Sequence, residues 1–285
     1  YHYLTEDVTT DKADYRNCNT AICLHGQDII SKSGSRIFDA FKGSTVTVTD
    51  CAESAGQIRG SNKESNGSAL WIRAGGALRF YNGHITDNQT AGDGTVYVDM
   101  SNDASVPGGE FRMYGGEISG NTARRGAGIY VPSGGVRAPS VHILGGTITG
   151  NTGTGTGATG GGAGIVSFRP LEIGGDAKVY GNTAATAPAD ILLRNDGTFA
   201  GAIVVSEAYP LKEGAKLSYG LKEPESDQEN LQFISGNPTV WDNSWVTYDG
   251  LAVKYKDGKF YTSADIVISA HDHDGHSWIS VTEQT

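Results

Sequence analysis

Apolar and polar positions alternate along this chain with a period of two, over short runs only. Leu70-Trp71-Ile72, Val96-Tyr97-Val98, Ile129-Tyr130-Val131, Ile165-Val166-Ser167 and Ile191-Leu192-Leu193 each set their outer residues on one side and the middle residue on the other. Such runs predict short strands, and helical periodicity is missing. A second pattern lies between them: Tyr81-Asn82-Gly83-His84-Ile85-Thr86-Asp87-Asn88, then Tyr114-Gly115-Gly116-Glu117-Ile118-Ser119-Gly120-Asn121. Leu144-Gly145-Gly146-Thr147-Ile148-Thr149-Gly150-Asn151 follows, and the fourth copy, two residues longer, runs from Ile173 to Asn182. The closing asparagine moves from 88 to 121, 151 and 182, in steps of 33, 30 and 31 residues.

Each period therefore holds two or three short strands separated by Gly and Asn/Thr turns, and a period without helices excludes ankyrin, tetratricopeptide and HEAT-type arrays. An apolar face repeated in every period is buried by stacking one period on the next. The expected fold is all-β: a parallel β-helix solenoid, one period per coil, with equivalent residues about 4.8 Å apart up the stack. The recurring asparagine predicts an inward stack of side-chain amides bonded to the corner backbones of adjacent coils.

Composition agrees. There are 41 Gly in 285 residues, as tight corners with positive φ require. The absence of a Gly-X-Y period and a 38% hydrophobic content exclude collagen and disorder. A net charge of −10 argues against duplex nucleic acid and an anionic membrane surface as partners. No apolar run approaches the ~20 residues of a membrane span. The opening Tyr1-His2-Tyr3-Leu4 has neither an initiator Met nor a signal peptide, and reads as a segment cut from a longer chain.

Cys23 and Cys51 lie one coil apart, which fits two small hydrophobes stacked in the core, or a disulfide between coils. A Cys18–Cys23 disulfide is the other pairing, and with three cysteines at least one is free. No zinc-knuckle spacing is present. Residues 1–199 read as coils. From 200 to 270 the period is lost, and Val246 to Tyr261 read as strands joined by Asp-Gly turns, as expected of a cap over the open end of a solenoid. Residues 271–285 read as a linker; His271, His273 and His276 are either solvated or a weak transition-metal site.

With Leu70/Ile72, Val96/Val98 and Ile129/Val131 inward, Trp71, Tyr97 and Tyr130 face outward in three consecutive coils, a strip about 10 Å long. Such a strip suits sugar rings or a protein interface; the alternative is an aromatic stack that stabilises the solenoid or is covered by a loop. Two positions further along the strands stand Arg73, Asp99, Pro132, Phe168 and Arg194. A second outward column holds Arg79, Arg112, His142 and Glu172, as cross-strand ion pairs or as an anionic-sugar site. The binding candidates are Trp71, Tyr97 and Tyr130, flanked by Arg73, Asp99 and Arg112.

Catalysis would draw on the acidic cluster Asp93, Asp99, Asp103 and Glu110, with Asp99 and Asp103 as the reacting carboxylates. Asp93 and Asp103 also sit beside Gly or Asn, where Asp is ordinary turn chemistry. Neither a Ser-His-Asp or Cys-His pattern nor a phosphate or dinucleotide loop stands out.

Tyr3-Leu4-Thr5-Glu6-Asp7-Val8, Cys23-Leu24-His25-Gly26, Asp50-Cys51 and the Gly-Gly-x-Ile-x-Gly-Asn coils together resemble modules of large tandem-repeat surface proteins of gut Firmicutes. Those modules belong to the pectate-lyase-like class of right-handed β-helices. His25-Gly26-Gln27 departs from the Asn-Gly-His usual there. The resemblance spans about residues 1 to 270. It implies a right-handed solenoid, secretion and attachment at the cell wall, and reads residues 271–285 as the opening of an adjacent module. The class hosts lyases, hydrolases, tailspikes and adhesins, so it does not by itself give a function. The expectation is a non-catalytic adhesion module without a cofactor, binding a host glycan or a host protein such as mucin or immunoglobulin. A carbohydrate-active enzyme, a hydrolase or a calcium-dependent lyase, is the first alternative, and a passive spacer the second.

Overall fold

The computed structural model describes residues 1–63, 67–156, 161–185, 189–196, 198, 200–221, 234–262, 271–273 and 276–278. Among them the chain forms no helix and winds as an all-parallel β-solenoid of about seven turns. One coil shows the plan. Val96–Val98 lies in the first ladder, Glu110–Met113 in the second, Glu117–Ser119 in the third and the two-residue Thr122–Ala123 in a short fourth. Ile129–Val131 then opens the next coil in the first ladder.

Coils stack in strict register. Trp71, Tyr97, Tyr130, Val166 and Leu192 are successive partners up the first ladder. Arg79, Arg112, His142 and Glu172 are successive partners up the second, and Ile58, Ile85, Ile118, Ile148 and Val179 up the third. The period-two alternation sends Leu70, Ile72, Leu78, Phe80, Phe111 and Ile118 into one continuous core, where all are fully buried. Each such side chain contributes about 1.5–3 kcal/mol through its burial. The paired glycines of the repeat are a packing requirement. A Cβ on Gly115 would stand 2.5 Å from the Tyr81 carbonyl oxygen, and Gly116, at φ +74°, would place one 2.6 Å from the Phe80 ring.

The asparagine column is the stack of amides expected. Asn88, Asn121 and Asn151 are fully buried. The Asn121 Oδ1 accepts the Asn88 backbone N–H (3.1 Å) and Nδ2–H (3.0 Å). The Asn121 Nδ2 donates to Ile85 O (2.9 Å), Ser119 O (3.0 Å) and Asn151 Oδ1 (2.9 Å). Asn151 repeats the arrangement onto Asn182, and Asn182 ends it on Asp190, whose Oδ1 takes both its N–H and its Nδ2–H at 2.9 Å.

Coil pairing continues beyond residue 199. Ala202–Val205 joins the second ladder, Lys216–Leu221 crosses from the third to the first, and Val246–Tyr248 pairs in parallel onto Leu217 to Tyr219. The sequence period fades there because the asparagine column stops at Asn182, leaving only β alternation such as Ala202-Ile203-Val204-Val205. After Val246–Tyr248 comes the antiparallel hairpin of Leu251–Lys256 and Lys259–Thr262, and Trp241, Trp245, Tyr248 and Phe260 pack on the core. His271–His273 pairs with His276–Trp278 as a separate hairpin, and the rest of the expected linker lies outside the described residues.

Candidate functional site

The aromatic column exists, but its three members differ in exposure. Trp71 and Tyr97 have ring centroids 5.0 Å apart and Tyr97 and Tyr130 5.6 Å apart, each pair tilted. Trp71 and Tyr97 are half-buried, whereas Tyr130 is only 4% exposed. Tyr130 belongs to a second, smaller apolar cluster with Val166, Phe168 and Leu192, formed on the outer side of the first ladder. The cause is local. The segments before each strand fold back and pair with one another, Asp93 with Arg125 and Arg125 with Gly161, and the Arg125 guanidinium lies 4.8 Å from the Tyr130 ring centroid. Alternation correctly assigns the side of the sheet; it carries no information about a loop laid over that side.

Below Tyr97 the column continues to residues that sequence reasoning missed. Asp39 is the ladder partner of Trp71 and is fully buried. It pairs with Arg73 (2.9 Å), Arg36 (3.1 Å) and Lys12 (3.6 Å). The Arg73 and Arg36 guanidinium carbons lie 3.6 and 4.3 Å from the Trp71 ring centroid, and the Trp71 indole N–H donates to Asp99 Oδ2 at 3.1 Å. Arg16 lies over Phe41, 3.3 Å from its centroid. Lys12, Arg16, Arg36 and Arg73 against Asp14, Asp39 and Asp99 leave this patch one charge positive on a chain of −10. The strand Phe38-Asp39-Ala40 shows the same alternation as the others, so its register with Trp71 is the signal that could have found Asp39.

Each acidic candidate has partners of its own. Burial pushes the Asp99 carboxyl above its ordinary value, against the downward pull of the Trp71 N–H and Arg73. Asp103 caps its own turn, accepting the Ser105 hydroxyl (2.7 Å) and N–H (2.8 Å), which hold its carboxyl below the ordinary range. Asp93 is paired with Arg124 and Arg125, and Glu110 with Arg112 at 2.8 Å. A groove of about 460 Å³ beside this loop is lined by Ala104, Ser105, Pro107, Arg137 and Ala138, none of them a carboxylate. Among the described residues no group of three or more His, Cys, Asp or Glu is placed to hold a metal ion. The side chains of His271, His273 and His276 are outside the description.

Arg112 stands apart from the aromatic strip, because Glu110–Met113 is a strand of the second ladder. Its column runs up to His142, whose Nδ1 is 2.5 Å from Glu172 Oε2, and Ser206 donates to the other Glu172 oxygen. Burial alone would raise the Glu172 carboxyl, but the bonds from Ser206 and His142 outweigh it and hold it below its ordinary value. At the corner after this ladder Tyr81 and Tyr114 stack nearly parallel, 4.6 Å apart, and Tyr81 is 44% exposed. Both open the repeat motif at the same position, which is the signal that could have identified this second aromatic surface.

Comparison with protein-family models, with curated proteins and with solved structures found no match to this chain.

Proposed function

We propose that this solenoid is a non-catalytic binding module of a secreted, cell-wall-attached protein, of the pectate-lyase-like class found in arrays on gut bacteria. Its ligand is a host glycan bearing a carboxylate, of the kind carried by mucins. The observation that supports this reading is the ledge of Trp71 and Tyr97 with Arg36 and Arg73 laid against the indole. Half-buried aromatic rings offer an apolar surface, and guanidinium groups offer paired donors that match a carboxylate. The buried Asp39 fixes both guanidinium groups in advance, which lowers the entropy lost on binding. Tyr130 is assigned a packing role and Arg112 lies outside the site.

The test is a screen of the full chain on sialylated and desialylated glycan arrays, mucin and immunoglobulin, with oligosaccharide cleavage read in the same wells. Expected is glycan binding that falls at least tenfold in Trp71→Ala and in Arg73→Ala, without cleavage. Binding indifferent to both substitutions sinks the site. Cleavage abolished by Asp99→Asn would establish the enzyme instead, binding to immunoglobulin alone a protein-directed adhesin, and silence throughout a spacer.

A further inference from the structure

At the N-terminal end of the solenoid three reactive side chains meet outside the aromatic ledge. Cys23 ends the strand Asn19–Cys23 and is fully buried, whereas Cys51, one coil on, is exposed. Their sulfurs are 3.1 Å apart, and His25 Nδ1 is 3.4 Å from the Cys51 sulfur. The juxtaposition is held by the backbone. The Asp50 carboxylate, 6% exposed, accepts the N–H groups of Gly26 (3.1 Å), Ala52 (3.0 Å) and Gly56 (2.6 Å), locking the turn that carries Cys51 onto the turn that carries His25. The Tyr3 ring covers the imidazole with centroids 4.3 Å apart. Cys18 is placed elsewhere, accepting a hydrogen bond from Thr20.

We infer that Cys51 is a thiol-modification site for small disulfides of the glutathione class, and that Cys23 resolves the adduct into a disulfide between coils. Cys51 is the sulfur a soluble disulfide can reach, and the nearby ring nitrogen of His25 can take its proton. The Cys51 thiolate attacks one sulfur of R–S–S–R, forming a mixed disulfide and releasing one thiolate, which leaves as RSH with the proton held by His25. The Cys23 thiol then gives up its proton and attacks the Cys51 sulfur, and the second RSH departs carrying that proton. Two protein thiols are oxidised and one small disulfide is reduced to two thiols. Closing the gap to a bond of ~2.05 Å needs a movement of only about 1 Å.

The experiment treats the fully reduced chain with oxidised glutathione and maps its disulfides by mass spectrometry without reduction. Expected is a cross-link joining the Cys23 peptide to the Cys51 peptide, formed equally in Cys18→Ser, with a rise in melting temperature that reductant reverses. Cys23→Ser is expected instead to retain glutathione on Cys51. The inference is overturned by a cross-link through Cys18, by stable adducts on both Cys23 and Cys51 of the wild type, by no linkage at all, or by a reduced protein that binds added zinc through these thiols.

Discussion

Replacing Asn121 by Ala tests the account of what fixes the coil corners. The substitution removes one side-chain acceptor and one donor from a site with no access to water. The Asn88 N–H loses its bond to Asn121 Oδ1, and Ile85 O loses the amide at 2.9 Å. Ser119 O loses its bond from the same amide, whereas Asn88 Nδ2 still donates to Ile58 O and Thr86 O, and Asn151 Oδ1 still accepts the backbone N–H of residue 121. A buried donor left unpaired costs about 1–3 kcal/mol, and the lost amide bond to Ile85 O and the lost packing bring the expected total to about 3–5 kcal/mol. In urea denaturation this is a fall in midpoint with little change in slope. Amide exchange at Asn88 should accelerate far more than at core positions of the last coils, since a solenoid's coils depend chiefly on their neighbours. A loss below about 1 kcal/mol would refute the reasoning, because it would mean that the amide stack contributes no more than a surface hydrogen bond.

Tyr130→Ala should destabilise by about 3–5 kcal/mol by emptying the outer apolar cluster, read by thermal or urea unfolding; a near-neutral result would mean that the covering loop does not pack on it. Asp99→Asn keeps an acceptor for the Trp71 indole and removes a carboxylate that burial disfavours, so stability should be unchanged or higher. Because the folded Asp99 binds its proton more tightly than the unfolded chain, its contribution falls as pH rises through the acid range, and this part of the pH dependence should vanish in the variant. Glu172 has the opposite sign. Its stabilisation is present above its ordinary value of 4.5 and lost as pH falls through the lower folded value, so Glu172→Gln should flatten the acid limb of the stability curve. Gly116→Ala should cost at least 2 kcal/mol through its positive φ and the contact with Phe80, measured the same way.

The core was legible because it is written in short-range terms. Leu78, Phe80 and Ile85 need only period-two alternation, and Asn88, Asn121, Asn151 and Asn182 need only a constant step between coils. The candidate site was half legible. The sidedness of Trp71 and Tyr97 followed from the strand, but the burial of Tyr130 depends on loop segments around Asp93, Arg125 and Gly161 that have no shared motif. Asp39 was hidden because its coil lacks the repeat motif, although its strand keeps the register. The stacking of Tyr81 on Tyr114 lay in plain view at equivalent motif positions, and needed only the step from a shared position to a shared column.

The chain of amides also has a direction. It starts at the Ser61 N–H, which donates to Asn88 Oδ1, passes through residues that each accept on one side and donate on the other, and ends on the carboxylate of Asp190. Its dipoles point the same way along the axis, so its two ends are chemically different. An interior coil is interchangeable: one more period with an asparagine at the corner could be spliced between Asn121 and Asn151 without altering what either end requires. Beyond Asp190 the chain of amides stops, since an ionised carboxylate accepts hydrogen bonds but has no N–H to donate onward. The coils that follow, Ala202–Val205, Lys216–Leu221 and Val246–Tyr248, therefore stack by ladder pairing without an amide at the corner, so a single residue closes the amide chain while the solenoid runs on.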